Sequence, residues 1–239
     1  NNKMKKNIFI AITTYKRDEE LKRLLNQINS YIGRYDFTIW VYSDGEKLSL
    51  RHSNYPNVYF LGETNMHAGK EEFWRIWDTL FSKFNFNYCK LITDYCFFIQ
   101  DDTELKDNFF DEAIRIWENI NDDKKIALQL LADENRKGKS CWIPFKVKEY
   151  DEYYHTQWVD CNFMCEPLLI EALEYKINPI DKNRFKNKNK SSGVGEQISS
   201  RLHRIGLNMY QVKETLLIHG DHKSYMNEEE RKINPLIAK

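Results

Sequence analysis

The sequence predicts an α/β protein: a mainly parallel sheet flanked by helices. Three observations carry that reading. Short apolar runs recur through the first half, at Ile8 to Thr13, Phe37 to Tyr42, Val58 to Leu61, Tyr95 to Ile99 and Ile126 to Leu131, and most of the stretches between them are of helical length. The run Tyr95 to Ile99 has no polar alternation, which suits a strand buried on both faces. Three of the runs end in polar residues: Thr13-Thr14-Tyr15, Ser43-Asp44-Gly45 and Asp101-Asp102. In open α/β sheets, ligands bind outside the carboxyl ends of the strands.

Taken in order, Ile8 to Thr13 is the first strand. A helix follows, with Asp18 expected as its N-cap and Leu21, Leu24, Leu25, Ile28 and Ile32 along one face. Phe37 to Tyr42 and Val58 to Leu61 are the next strands. Thr64 to Lys70 is a polar loop holding Gly69. Glu71 to Phe84 is an amphipathic helix with Phe73, Trp74, Trp77, Leu80, Phe81 and Phe84. The strand Tyr95 to Ile99 then runs into Asp101 and Asp102. Adjacent carboxylates repel unless positive charge lies close by, and a divalent cation carrying phosphate oxygens would supply it. The alternative is an acidic turn in which Asp102 caps the helix from Asn108 to Asn119. Past Ile126 to Leu131 the pattern loosens. Trp142 to Tyr154 suggests an antiparallel hairpin, Gln157 to Met164 a strand, and Pro167 to Tyr175 a helix with proline in its first turn. Lys182 to Ser192 is a low-complexity run of Lys, Asn and Ser, expected to be mobile. A helix from Gly193 to Ile205 closes at Gly206, and Asn208 to Val212 and Thr215 to His219 are short strands.

At 239 residues the chain can form one large domain, which the resemblance described below would divide into a nucleotide-binding half up to about residue 131 and an acceptor-binding half from 132 to 239. Thirty-six basic and thirty-six acidic side chains cancel, which argues against nucleic acid as partner. No apolar run is long enough to span a bilayer, and Ile8 to Ile12 is too short for a signal-peptide core. The five cysteines lack zinc-type spacing and are expected as free thiols in a reducing compartment. The expected location is therefore cytoplasmic, with peripheral contact to a membrane left open.

The three strand ends, in this order and spacing, resemble the GT-A glycosyltransferases, family 2 above all. That family follows its first strand with Thr-Tyr-(Asn/Lys)-Arg, here Thr14-Tyr15-Lys16-Arg17. Its second strand ends in an Asp, here Asp44 in Ser43-Asp44-Gly45. A later strand enters the metal-binding Asp-x-Asp motif, here the DXD-like Gln100-Asp101-Asp102, with Gln in the first place. The resemblance covers residues 8 to 131 well and the rest loosely. It implies a metal-dependent, inverting transferase in glycan biosynthesis. Such an enzyme takes a nucleoside-diphosphate sugar as donor and a glycan, lipid-linked or protein-linked sugar as acceptor. Thr13, Tyr15, Arg17, Asp44, Lys70 and Asp101 would then line the nucleotide site, Tyr15 stacking on the base, Asp44 and Asp101 accepting from base or ribose, and Lys70 near the phosphates. Asp102 would hold Mn²⁺ or Mg²⁺, with His219 as a further ligand and His222 as its alternative.

Gly193-Val194-Gly195-Glu196-Gln197 followed by Arg201-Leu202 and Gly206 is similar to the family's Glu-Asp catalytic helix, with Gln197 where the Asp would stand. Glu196 is then the expected general base. Asp160, beside Trp158, is its rival and otherwise a group for sugar hydroxyls. Lys182 to Ser192 is either a lid over the donor diphosphate or a disordered insertion. Two other classes stay open: a nucleotide-binding module that lost catalysis, suggested by Gln100 and Gln197, and a nucleotidyltransferase, which the lack of glycine in Thr13 to Asp18 argues against.

Overall fold

The computed structural model describes residues 5–50, 54–86, 89–132 and 146–220. Strand β1 (Asn7–Thr14) leads to helix α1 (Asp18–Asn29), and β2 (Asp36–Ser43) to β3 (Val58–Leu61). Helices α2 (Phe73–Phe86) and α3 (Cys89–Ile92) precede β4 (Tyr95–Gln100) and β5 (Thr103–Leu105). After them come α4 (Phe109–Asn119), β6 (Lys125–Gln129), β7 (Lys148–Glu149), β8 (Tyr153–His155) and β9 (Phe163–Cys165). Helix α5 (Leu168–Ala172), a 3-10 turn at Lys182–Lys186, α6 (Val194–Arg204), β10 (Asn208–Val212) and β11 (Leu217–His219) follow.

Nine strands form one sheet in the order β3-β2-β1-β4-β9-β6-β10-β8-β7. The pairs from β3 to β4 are parallel, as is β6 with β10. Strand β9 runs antiparallel between β4 and β6, and β8 and β7 form an antiparallel edge. β11 and β5 make a separate two-stranded antiparallel sheet. Period-2 alternation divides the core. On one face Ile8, Ile10, Ile12, Phe97 and Ile99 pack with Leu21, Leu24, Leu25 and Ile28 of α1 and Phe109, Phe110 and Trp117 of α4. On the other, Phe9, Ala11, Cys96 and Phe98 pack with Ile76, Trp77, Leu80 and Phe81 of α2 and Ile198 and Leu202 of α6. Both faces are covered, which is why these strands show no polar alternation.

Several expectations need correction. Asp18 is the first helical residue, not the N-cap: Arg17 takes that place, and the Asp18 carboxylate instead accepts from the Ser49 backbone N–H. α1 stops at Asn29, so Ile32 lies outside it and is exposed. Asp102 caps no helix; Asn108, in left-handed conformation, precedes α4. Gln157 to Met164 is not one strand, because Gln157 and Asn162 both have positive φ and turn the chain before β9. α5 is shorter than expected, since Glu174 and Tyr175 also adopt positive φ. Strand β5, a three-residue piece, carried too little periodicity to be expected. The hairpin expected in Trp142 to Tyr154 appears as β7–β8; its first residues lie outside those described. Lys182 to Ser192, expected as a mobile run, folds into the 3-10 turn plus a strap tied down by side chains.

Candidate functional site

Register brings the polar strand ends together. Thr14 pairs with Ser43 and Thr13 with Gln100, so β1, β2 and β4 finish at one edge. The turn after β1 swings Arg17 beneath that edge. Its Nη1 donates to Asp101 Oδ1 at 3.0 Å and lies 2.6 Å from Asp102 Oδ2. All three side chains are buried. The guanidinium thus supplies the positive charge that two neighbouring carboxylates need. Burial nevertheless pushes the Asp101 carboxyl up to about 6, Arg17 pulling against that shift and Asp102 adding to it.

Asp44, the residue after β2, is a backbone clamp. Its oxygens accept from Ala68 N at 2.7 Å and Gly69 N at 3.0 Å, and His67 Nδ1 lies 3.0 Å away. Gly45 permits this approach: φ is +73°, and a Cβ there would stand 2.4 Å from the Met66 carbonyl carbon. Tyr15 stacks on His67, the ring centroids 4.1 Å apart and 18° from parallel. Tyr15, Asp44, His67 and Gly69 therefore form one shelf beside the strand ends. Lys70, the next residue, donates from Nζ to the Lys188 carbonyl at 2.8 Å.

Between that edge and α6 lies a cavity of about 200 Å³. Thr13, Lys70, Gln100 and Asp160 are its polar lining, with Ser191 and Ser192 from the strap. Asp160 is held from several sides. Gln129, ending β6, accepts from Asp160 N at 2.9 Å and donates to the Cys161 carbonyl at 2.8 Å. Cys161 N donates to Asp160 Oδ1 at 2.9 Å. Gln100 and Asn162 bond twice, through Gln100 N to Asn162 Oδ1 and Asn162 Nδ2 to Gln100 Oε1. Gly195, in the first turn of α6, comes so close that a Cβ would meet Asp160 Oδ1 at 2.5 Å. Glu196 stands elsewhere. It pairs with Arg184 at 2.9 Å, half exposed, and is not among the residues lining the cavity. Gln197, where the resemblance would have the catalytic Asp, clamps the backbone of Asn178 through both its amide atoms.

Gln100 joins the cavity to the buried acids. Its Oε1 lies 2.8 Å from His219 Nε2, which is 3.4 Å from Asp102 Oδ1. Mn²⁺ and Mg²⁺ are commonly held by one or two protein ligands together with substrate phosphates. Asp102 Oδ1 and His219 Nε2, 3.4 Å apart, offer two donors of that kind, but Asp102 is fully buried and its Oδ2 already faces the Arg17 guanidinium at 2.6 Å, which a cation would have to displace. Among the described residues no group of three or more His, Cys, Asp or Glu side chains converges, so the residues do not fit a closed cage. His222 lies outside the described residues. Sequence reasoning missed Gln129, Asn162, His67 and Arg184: none belongs to a motif, and the first three act through partners far away in sequence.

No protein-family model matches the sequence, and a search of the curated proteins finds no match either. Solved structures do match. One is S. aureus TarS 1–349, with a TM-score of 0.58 and 9% identity, over 91% of this chain and 61% of that one. Another is GalNAc-T7 with UDP, GalNAc and Mn²⁺, with a TM-score of 0.57 and 13% identity, over 94% of this chain and 45% of that one. A third is the mannosyltransferase PcManGT from Pyrobaculum calidifontis with GDP-Man and Mn²⁺, with a TM-score of 0.51 and 11% identity, over 87% and 55%. The chain thus spans 45% to 61% of the length of these structures. At such identities the likeness is one of fold.

Proposed function

We propose that this chain, which has the GT-A glycosyltransferase fold, is a glycosyltransferase. It would move a sugar from a nucleoside-diphosphate donor to a hydroxyl of a glycan or another acceptor. The observation that carries the reading is the cavity at the strand ends, where Asp160 and Lys70 share a wall with Gln100, itself bonded to the Asp102–His219 pair. The Tyr15–Asp44 shelf would take the nucleoside, and Lys70 the diphosphate. Asp102 and His219 would hold a divalent cation, which when bound offsets the charge of the departing diphosphate.

The proposed reaction is a single inverting displacement. A carboxylate accepts the proton of the acceptor hydroxyl while its oxygen bonds to the anomeric carbon, and the bond from that carbon to the phosphate oxygen breaks. Asp160 is preferred for the base over Glu196, because Asp160 lines the cavity while Glu196 is committed to Arg184. A screen of nucleotide sugars, with Mn²⁺ or with EDTA, tests the whole reading. At least one donor is expected to raise the melting temperature and to be turned over, more strongly with Mn²⁺. A nucleotide that stabilises the protein while no nucleotide sugar is consumed with any acceptor would favour the second reading, a nucleotide-binding module without catalysis. The structural employment of Gln197 at the family's catalytic position supports that second reading. Among the described residues no helix is long and apolar enough to cross a membrane.

A further inference from the structure

Residues 182–192, the 3-10 turn and the strap after it, hold five basic side chains and no acidic one, in a chain whose formal charge is zero. Two of the five are neutralised at close range: Lys182 by Glu72 at 3.1 Å and Arg184 by Glu196 at 2.9 Å. Lys186, Lys188 and Lys190 are exposed, and among the described residues no carboxylate pairs with them. Three ammonium groups within five residues repel one another, and a loose segment would extend to separate them. Here the backbone is fixed. Asn189 N donates to Asn187 Oδ1 at 3.0 Å and Lys190 N to the Asn187 carbonyl at 3.1 Å, which closes a turn around Lys188. Lys70 holds the Lys188 carbonyl, and Arg184 Nε donates to the Ser191 carbonyl at 3.0 Å. Arg184 also lies against Gly193, where a Cβ would meet its Nε at 2.9 Å. The three lysines therefore stand on an ordered rim, and an anion that binds them avoids the cost of ordering a flexible segment.

Their position separates them from the donor. Ser191 and Ser192 line the cavity together with Lys70, whereas Lys186, Lys188 and Lys190 do not. A donor diphosphate beside Lys70 would sit inside; the three lysines stand outside that space, on the segment that walls it. What lies there is the part of the second substrate beyond its reacting hydroxyl. A lysine ammonium is a compact point charge without the planar fork of arginine. A cluster of three therefore responds to the number of negative charges more than to one oxyanion geometry. We propose that the strap lysines receive an anionic acceptor, a glycan that bears several phosphate, sulfate or carboxylate groups. This names the acceptor class of the proposed transferase and rests on that reading.

The test uses the full chain, with sulfated dextran oligosaccharides as the polyanionic glycan and unsulfated dextran of the same length as the neutral control. In calorimetry the sulfated glycan is expected to bind at least about tenfold more tightly than the neutral one and to weaken by a similar factor between about 50 and 200 mM salt. Lys186→Ser, Lys188→Ser and Lys190→Ser together are expected to cut its affinity about tenfold, with the melting temperature held because repulsion is relieved. Lys22→Ser, Lys83→Ser and Lys124→Ser remove the same charge from exposed positions elsewhere and are expected to leave that affinity within about twofold. Equal losses in the two triple variants, or no loss in the strap variant, overturn the proposal. An equal loss of affinity for UDP and GDP in the strap variant also overturns it, because the lysines would then serve the donor. A single-stranded RNA of matching charge that binds more tightly than the sulfated glycan overturns it in favour of nucleic acid. In turnover across neutral, phosphorylated and sulfated oligosaccharides, the best acceptor is expected to be anionic, with KM raised about tenfold in the strap variant and donor Kd unchanged. A neutral best acceptor whose KM the strap variant leaves unchanged sinks the anionic acceptor and leaves the transferase. Strap-dependent binding of the sulfated glycan with no turnover of any donor sinks the transferase and leaves the anion site.

Discussion

Asp160 and Glu196 are both carboxylates near the start of α6, but different partners hold them. The Asp160 loop is fixed by Gln129 and Asn162, both buried, whereas Glu196 meets a single arginine at the surface. A base contributes in the transition state, so its loss lowers turnover and leaves donor affinity. Asp160→Asn is expected to cut kcat by roughly a hundredfold or more with donor Kd little changed. Glu196→Gln is expected to stay within a few-fold of the parent; calorimetric Kd and steady-state rates on both variants decide, and a dead Glu196→Gln with an active Asp160→Asn would return the base to Glu196. Asp44→Ala is expected to weaken nucleoside diphosphate and nucleotide sugar alike. It also strands two backbone N–H groups, at a cost of about 1–3 kcal/mol readable by denaturant melts. The position of Asp44, Asp101 and Asp102 at strand ends was legible in the sequence because each follows an apolar strand. Gln129 and Asn162 were not, because a glutamine or asparagine that grips a remote backbone leaves no local pattern.

Helix α6 and the loop before β9 act as one element. Gly195→Ala forces a methyl against Asp160 Oδ1. The helix itself tolerates alanine better than glycine, so the melting temperature is expected to hold or fall slightly while turnover drops as Asp160 shifts. Unchanged turnover would show that the position of Asp160 does not matter. The β8–β10 edge carries a titration. His155 stacks on Tyr210 and bonds Gln157, with Lys148, Asn208 and Asp122 around it. Burial holds its pKa below the usual 6.5, and the nearby bonds and Asp122 only partly offset that. Below about pH 6.5 the unfolded chain then takes up a proton more readily than the folded one, so stability falls on acidification. His155→Gln is expected to flatten that acid limb in chemical denaturation between pH 7 and pH 5. Long elements were legible because periodicity accumulates along them. β5 and β9, three residues each, were set by pairing with distant strands, which a local window does not contain.

At the scale of the whole molecule, two aromatic layers enclose the sheet, and β9 is the seam between its halves. Phe163 stacks against Phe98 and Trp77 across that seam and has no exposed surface. Phe163→Ala is expected to cost about 3–5 kcal/mol in denaturant unfolding. A loss under about 1 kcal/mol would show that the seam repacks freely. The α/β class was legible from the alternation of strand and helix patterns. The antiparallel insertion of β9 between β4 and β6 was not, because its place is set by strands that lie far earlier in the chain.

That insertion has a consequence for biosynthesis. β4 and β6 have both left the ribosome before residues 163–165 arrive to bridge them. At roughly 5–20 residues per second, several seconds of translation pass with the inner edge of β4 unpaired. An open edge of Tyr, Cys, Phe and Ile is a template for association with other chains. Folding of the first half, up to about residue 132, therefore waits on its successor, and the nascent chain is expected to engage holding chaperones during that interval. A fragment ending at residue 132 should be recovered in aggregates, and one reaching residue 220 in solution.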